Sequence, residues 1–292
     1  MDSFVILQIP EEEASDEVFE LAFKRLTEVY EKFTAHLEGT PIEKFNKGKE
    51  NIDDEEIIFL IKESIRIGSL SGGAFDITLF PLMELWGFYS ADYSLPENEK
   101  LEETLLLTGL DKLEFNDMGE LVCGRVKIDL GGIAKGYAVD EAAAALRQAG
   151  IKNALFDAGG DIYALGFRDE RNKLPWRVGI KDPHGEGIIN LIGISDKAVA
   201  TSGEYERRFE LGGKSYHHIL NPASGRPAEG KSSVTVIAPT AKKADAWATA
   251  LFVMEVDPAL ELASKTEDLE VLIITSTGEK LSTPGFGELI ID

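Results

Sequence analysis

The segment APTAKKADAWATALF places a carboxylate, Asp245, and a hydroxyl, Thr249, four residues apart, so on a helix they share one face. Two hard oxygen donors so arranged suit Mg²⁺, which takes carboxylates alongside waters and substrate phosphates. The same spacing equally describes a Thr249 bonded back to its own helix with Asp245 in solvent. In SYHHILNPASGRP, His217 and His218 are adjacent, so on a strand they point to opposite sides. One of them can then enter a site as a general base, or both can be structural. No H-E-x-x-H spacing or nearby cysteine accompanies them, so they do not read as a zinc pair.

Three glycine-bearing stretches carry further candidates. KIDLGGIAKGYAVD reads as a strand, a turn and a helix start. Gly131 and Gly132 permit positive φ and close backbone approach, and the helix N-terminus after them offers N–H donors to an anion. GGIAKG fits neither the dinucleotide fingerprint nor the phosphate-loop frame, so a phosphate cradle and a structural turn both stay open. GGAFD, with Ala74, Phe75 and Asp76, suits a loop lying against a flat ring, or else Phe75 is core. NALFDAGGDIYALG, with Asp157 and Asp161 around Gly159 and Gly160, reads as a hairpin or a ligand loop. VATSGEYERRF contains no G-x-S-x-G elbow, so serine-hydrolase chemistry has no support.

The elements that must hold these residues alternate irregularly. SFVILQIP predicts a strand, and Ser15 or Asp16 caps a helix with the apolar stripe Val18, Phe19, Leu21, Ala22, Leu26, Val29, Tyr30 and Phe33. A second helix is expected from about Asp53 to Ser69, and a short one ending at Gly87. Short strands are expected between Lys112 and Leu130, then an Ala-rich helix ending near Gly150. Strands dominate afterwards, interrupted by a helix from about Ala241 to Met254. The pattern favours α+β with largely antiparallel sheets, in one compact unit spanning residues 1–292.

Composition narrows the function class. Of 292 residues, 30 are Lys or Arg and 52 are Asp or Glu, a formal net charge of -22. Such a surface repels nucleic-acid phosphates, which argues against a general DNA or RNA binder. A small polyphosphate remains compatible if backbone N–H groups, a few cations or a metal compensate locally. Cys123 is the single cysteine. It excludes an internal disulfide and is expected as a buried thiol on a strand. No transmembrane segment is expected.

Taken together and in this order, the stretches SGGAFDITLFPLMELWGF, KIDLGGIAKGYAVD, NALFDAGGDIYALG, AVATSGEYERRF, YHHILNPASGRP and SVTVIAPTAKKADAWATALFVM resemble the ApbE family of FAD:protein FMN transferases. They span roughly residues 71 to 254, and MDSFVILQI resembles a variant of the family's Met-Gly-Thr opening strand. The resemblance implies a Mg²⁺-dependent enzyme that binds FAD and cleaves its pyrophosphate. It transfers FMN to a threonine hydroxyl of a target flavoprotein and releases AMP. It also implies an α+β fold with a T-fold-like core.

Carried over by position, Ala74, Phe75 and Asp76 would line the flavin or nucleotide, and Met1 would stand at the FAD site. Gly131, Lys135 and Tyr137 would lie near FAD. The Ala134 carbonyl, Asp245 and Thr249 would hold the metal, and His218 would be the base for the accepting hydroxyl. The chain departs from the family pattern at Asn221, Ala223 and Ser224. It departs again at His36, which stands in for the usual tyrosine, so altered contacts are expected there.

Two other activities fit the same resemblance: FAD pyrophosphatase chemistry giving FMN and AMP, and FAD binding without turnover. The acidic opening lacks a basic, apolar export signal, so the chain as given reads as cytoplasmic. An exported protein trimmed to its mature part has the same appearance.

Overall fold

A computed structural model describes residues 4–291. The chain begins with strand β1 (Val5–Gln8) and helices α1 (Asp16–Phe33), α2 (Pro41–Asn46), α3 (Glu55–Leu70), α4 (Phe80–Leu85), α5 (Asn98–Leu105) and α6 (Gly131–Gln148). Strands β2 (Ala154–Ala158), β3 (Asp161–Leu165), β4 (Trp176–Lys181), β5 (Ile188–Ile194) and β6 (Lys197–Gly203) follow. Next come β7 (Arg208–Leu211), β8 (Lys214–His217), β9 (Lys231–Ala238), α7 (Ala241–Val253), α8 (Val256–Lys265), β10 (Glu270–Thr275) and β11 (Lys280–Ser282). The described residues form two units, one from residues 4–30, 133–203 and 230–291, the other from residues 31–132 and 204–229.

The first unit is built on a seven-stranded sheet, ordered β1-β2-β3-β6-β9-β10-β11, with every neighbouring pair antiparallel. The β4–β5 ribbon covers one face. Its strand β4 alternates buried Trp176, Val178 and Ile180 with exposed residues, and the buried set packs with Leu155, Val199, Ile237, Leu272 and Phe286. Helix α7 lies against β3, β6 and β9. Strand β9 is buried along its whole length, as a central strand covered on both sides must be. Lys231, 2% exposed, donates its ammonium protons to the Phe252 and Met254 carbonyls at the end of α7. Those carbonyls have no partner within the helix, and a cation there also suits the helix dipole.

The second unit is mainly helical. Asp54 caps α3 by accepting from the Glu56 and Ile57 N–H groups, and Ile57, Leu60, Ile61 and Ile67 bury its inner face. Trp86, Phe88, Phe209 and Leu220 form part of a second cluster. The Trp86 indole N–H donates to the Gly225 carbonyl at 2.8 Å. Gly225 has φ +67°, and a Cβ there would stand 3.0–3.1 Å from Leu101 and Leu82.

Three expectations change. Lys112–Leu130 forms no strands, only isolated bridges such as Ile52 with Leu121. The Asn46 side chain, not a neighbouring strand, pairs with both the N–H and C=O of Ile128. Cys123 sits in a bend, half-buried. Gly131 and Gly132 are not a positive-φ turn; they are the first two residues of α6. Among the described residues, no helix is long and apolar enough to cross a membrane.

Candidate active site

Helix α7 has the sequence AKKADAWATALFV, rich in alanine and buried on most sides. Small residues let it approach α6 closely. At Gly136 of α6 a Cβ would overlap the Ala241 carbonyl and lie 2.7 Å from the Lys242 nitrogen. The Gly136 N–H donates to Asp245 Oδ2 at 3.2 Å. Asp245 is therefore no solvent-facing residue: it is 4% exposed. One turn further along the same face of α6, Asp140 accepts from the Ala241 and Lys242 N–H groups at 2.6 and 3.0 Å. Burial pushes the Asp140 carboxyl up to about 6, against the pull of those two N–H groups.

Asp161, the first residue of β3, is 2% exposed and stands beside Asp245. Lys135 Nζ is 2.7 Å from Asp161 Oδ2 and 3.7 Å from Asp245 Oδ1. Burial, and after it the charge of Asp161, holds the Asp245 carboxyl well above the usual carboxylate range. Lys135 and the Gly136 N–H oppose that shift. Two buried carboxyl groups beside one ammonium resist ionising together, and a bound cation would relieve that cost. Thr249 Oγ1, one turn beyond Asp245, is 3.3 Å from Ser202 Oγ of β6.

This donor set suits a hard divalent cation. It offers two carboxylates, the Thr249 hydroxyl, and the half-buried Ala134 carbonyl in the first turn of α6, whose oxygen has a second lone pair beyond its helical bond. Among the described residues, no group of three or more His, Cys, Asp or Glu gathers for a metal. A cation here would thus draw on hydroxyl, carbonyl and substrate oxygens, the habit of Mg²⁺.

In the second unit the GGAFD loop turns on Gly72 and Gly73, at φ +63° and +88°. Phe75 is 3% exposed, so its ring belongs to the interior, while Ala74 and Asp76 are half-buried. Asp76 Oδ1 accepts from the Thr78 N–H and hydroxyl at 2.7 and 2.6 Å. Burial raises the Asp76 carboxyl and these two bonds restrain the rise. Gly131 N–H donates to Asp129 Oδ1 at 2.8 Å, and the other Asp129 oxygen accepts from the Tyr89 hydroxyl. The Tyr89 ring packs against His36 and Phe80, with centroids 4.0 and 4.8 Å away. His36 thus occupies an aromatic stack with Tyr89 and Phe80.

Only the first of the tandem histidines is on a strand: β8 ends at His217, and His218 follows in a bend. His217 is 7% exposed; its Nδ1 accepts from the Ile219 N–H and its Nε2–H donates to the Ala228 carbonyl at 2.9 Å. That fixes a neutral tautomer, and burial lowers its pKa. His218 is half-buried, with its backbone N–H on the Arg207 carbonyl and its ring edge-on to Phe88.

In the first unit Lys135 meets Asp161 and Asp245. Ala134 precedes Lys135 on α6, Thr249 lies one turn beyond Asp245 on α7, and Tyr137 is buried under the Lys242 ammonium at 6.0 Å. The second unit holds Ala74, Phe75, Asp76, Gly131 and His218. Met1 lies outside the described residues. Sequence reading left Asp161 inside a hairpin motif and missed its pairing with Lys135. The GGD at the head of β3 was the only local signal. Asp140 carried none.

Comparison with known proteins gives a consistent result. A family model described as the ApbE family matches residues 1–273. The Escherichia coli K12 protein named FAD:protein FMN transferase is 35% identical over 244 residues, covering 78% of this chain and 67% of its own length. The Vibrio cholerae protein of the same name is 32% identical over 264 residues, covering 87% and 78%. The crystal structure of the ApbE protein from Thermotoga maritima superposes with a TM-score of 0.90 at 34% identity and full coverage of both chains. A solved flavin transferase ApbE from Vibrio cholerae, 29% identical with a TM-score of 0.86 over 99% of this chain and 96% of its own, shares with this chain the mixed architecture of helices and antiparallel sheet.

Proposed function

We propose, from the premise that the chain belongs to the ApbE family, that it is an FAD:protein FMN transferase acting on a threonine hydroxyl of a target flavoprotein. The observation that carries the reading is the pair of buried carboxylates, Asp161 and Asp245, sharing the Lys135 ammonium beside Thr249.

FAD brings a doubly charged pyrophosphate to a chain of net charge -22, so local compensation is required. Mg²⁺ held by Asp245, Thr249 and the Ala134 carbonyl would neutralise charge building on the attacked phosphate. Lys135, anchored by Asp161, holds a positive charge for the phosphate oxygens. Tyr137, Gly131, Ala74, Phe75, Asp76 and Met1 are assigned to FAD by family resemblance. His218 takes the proton of the threonine hydroxyl as its oxygen bonds to the FMN phosphorus. The bond from that phosphorus to the bridging oxygen breaks, and AMP leaves with the electron pair.

Incubation with FAD, Mg²⁺ and a threonine-bearing target flavoprotein, followed by intact mass, tests the proposal. The expected result is a target heavier by one FMN unit with AMP in solution. FMN and AMP beside an unlabelled target would make the protein a pyrophosphatase. FAD intact after hours would make it a flavin binder.

A further inference from the structure

The first turn of α7 is held from two directions. Thr240, its own N-cap, accepts from the Lys243 N–H at 3.4 Å. Asp140, on α6, accepts from the Ala241 and Lys242 N–H groups. A helix start normally meets its open N–H groups with its own preceding residues or water. Here two of them are met by a carboxylate on the helix that carries Lys135 and Ala134. A second tie, from Gly136 N–H to Asp245 Oδ2, lies one turn away along α6. The sheet strands β3, β6 and β9 carry the body of α7; the two ties join its first turn and Asp245 to α6.

We infer that Asp140 is a positioning residue for the divalent-cation site, setting the oxygen donors of α7, Asp245 and Thr249, against the Ala134 carbonyl of α6. The inference rests on the proposal that those three groups hold the cation. Asp140 accepts from the Ala241 and Lys242 N–H groups and acts through the placement of α7. Thr240 stabilises the same helix end without tying it to α6, so it serves as the control.

The test is a Mn²⁺ titration followed by electron paramagnetic resonance without FAD, on wild type, D140N and T240A, with thermal melts of the metal-free proteins. D140N is expected to weaken Mn²⁺ binding about tenfold or more, the usual effect of losing a group that orients ligands. T240A should lower the melting temperature yet keep Mn²⁺ affinity within about twofold of wild type. Should D140N not fold, D140E keeps the charge, displaces the carboxylate by one methylene and is expected to weaken Mn²⁺ binding as well. Wild-type affinity in a folded Asp140 variant overturns the inference and leaves the cation site standing. Affinity falling in parallel with melting temperature in both D140N and T240A reduces Asp140 to a structural cap. A wild-type protein that binds no Mn²⁺ overturns the cation site itself.

Discussion

Lys135 Nζ stands 2.7 Å from Asp161 Oδ2 and within 4 Å of Asp245, one ammonium serving two buried carboxylates. Asp161→Asn removes one of the two negative charges while keeping the shape. Metal-free stability should fall, because Lys135 loses its charged partner at 2.7 Å, and Mn²⁺ affinity should fall about tenfold or more. Unchanged affinity would remove Asp161 from the site.

Asp245→Ala deletes the α7 carboxylate itself. Mg²⁺-dependent consumption of FAD should drop by at least about a hundredfold, measured by release of AMP. A rate within a few-fold of wild type would mean that the cation is held elsewhere.

His218→Ala should slow FMN transfer by roughly a hundredfold or more, the scale of a lost general base. FAD affinity, read from flavin fluorescence, should stay within about threefold. If affinity collapses and the bound turnover rate does not, His218 positions the nucleotide instead of moving a proton.

His217→Phe tests the neighbouring ring. It strips partners from the buried Ala228 carbonyl and Ile219 N–H, at a cost of about 1–3 kcal/mol in urea melts. The folded protein holds His217 neutral, so its pKa lies below the ordinary 6.5. The stability this contributes is fully present above pH 6.5 and is lost as pH falls from there toward the folded value, because the unfolded chain binds the proton first. The gap between wild type and variant should therefore narrow from pH 7.5 to pH 5. A gap that stays constant would refute the assignment.

Gly136→Ala forces a methyl group into the Ala241 carbonyl. Alanine favours a helix over glycine by about 1 kcal/mol, yet overpacking of this kind costs about 1–3 kcal/mol. Net destabilisation by denaturant titration is expected. A more stable protein would show that α6 and α7 can part freely.

Much of the architecture was legible because its signals are local. The stripes of α1 and α3 repeat with helical period, and the hairpins β2–β3, β7–β8 and β10–β11 announce themselves through glycine between alternating strands. Residues 112–130 misled because Val126, Ile128 and Leu130 alternate like strand residues but act as buried anchors in an irregular path. The backbone of Ile128 is satisfied by Asn46, which no spacing rule connects to it. Helices α5 and α8 open on Glu97 and Glu255, neither of which makes a side-chain cap bond, so no start signal marked them. At the site, spacing placed Asp245 and Thr249 on one helix face, but it did not decide between a ligand pair and a solvent-facing carboxylate; the ligand reading came from the family resemblance. Asp161 meets Asp245 only through the stacking of β3 against α7, a tertiary relationship without a linear trace.

Strand order also bears on how the chain must be made. Val5 of β1 pairs with Ala158 of β2. At a synthesis rate of about 5–20 residues per second, the opening strand leaves the ribosome roughly ten to thirty seconds before its partner does. During that interval Val5, Ile6 and Leu7 form an apolar strand with nothing to pair against. The acidic run Glu11–Glu13 directly behind it is the kind of charged flank that discourages pairing with other nascent chains. A polypeptide released before residue 154 carries this strand with no native neighbour to receive it.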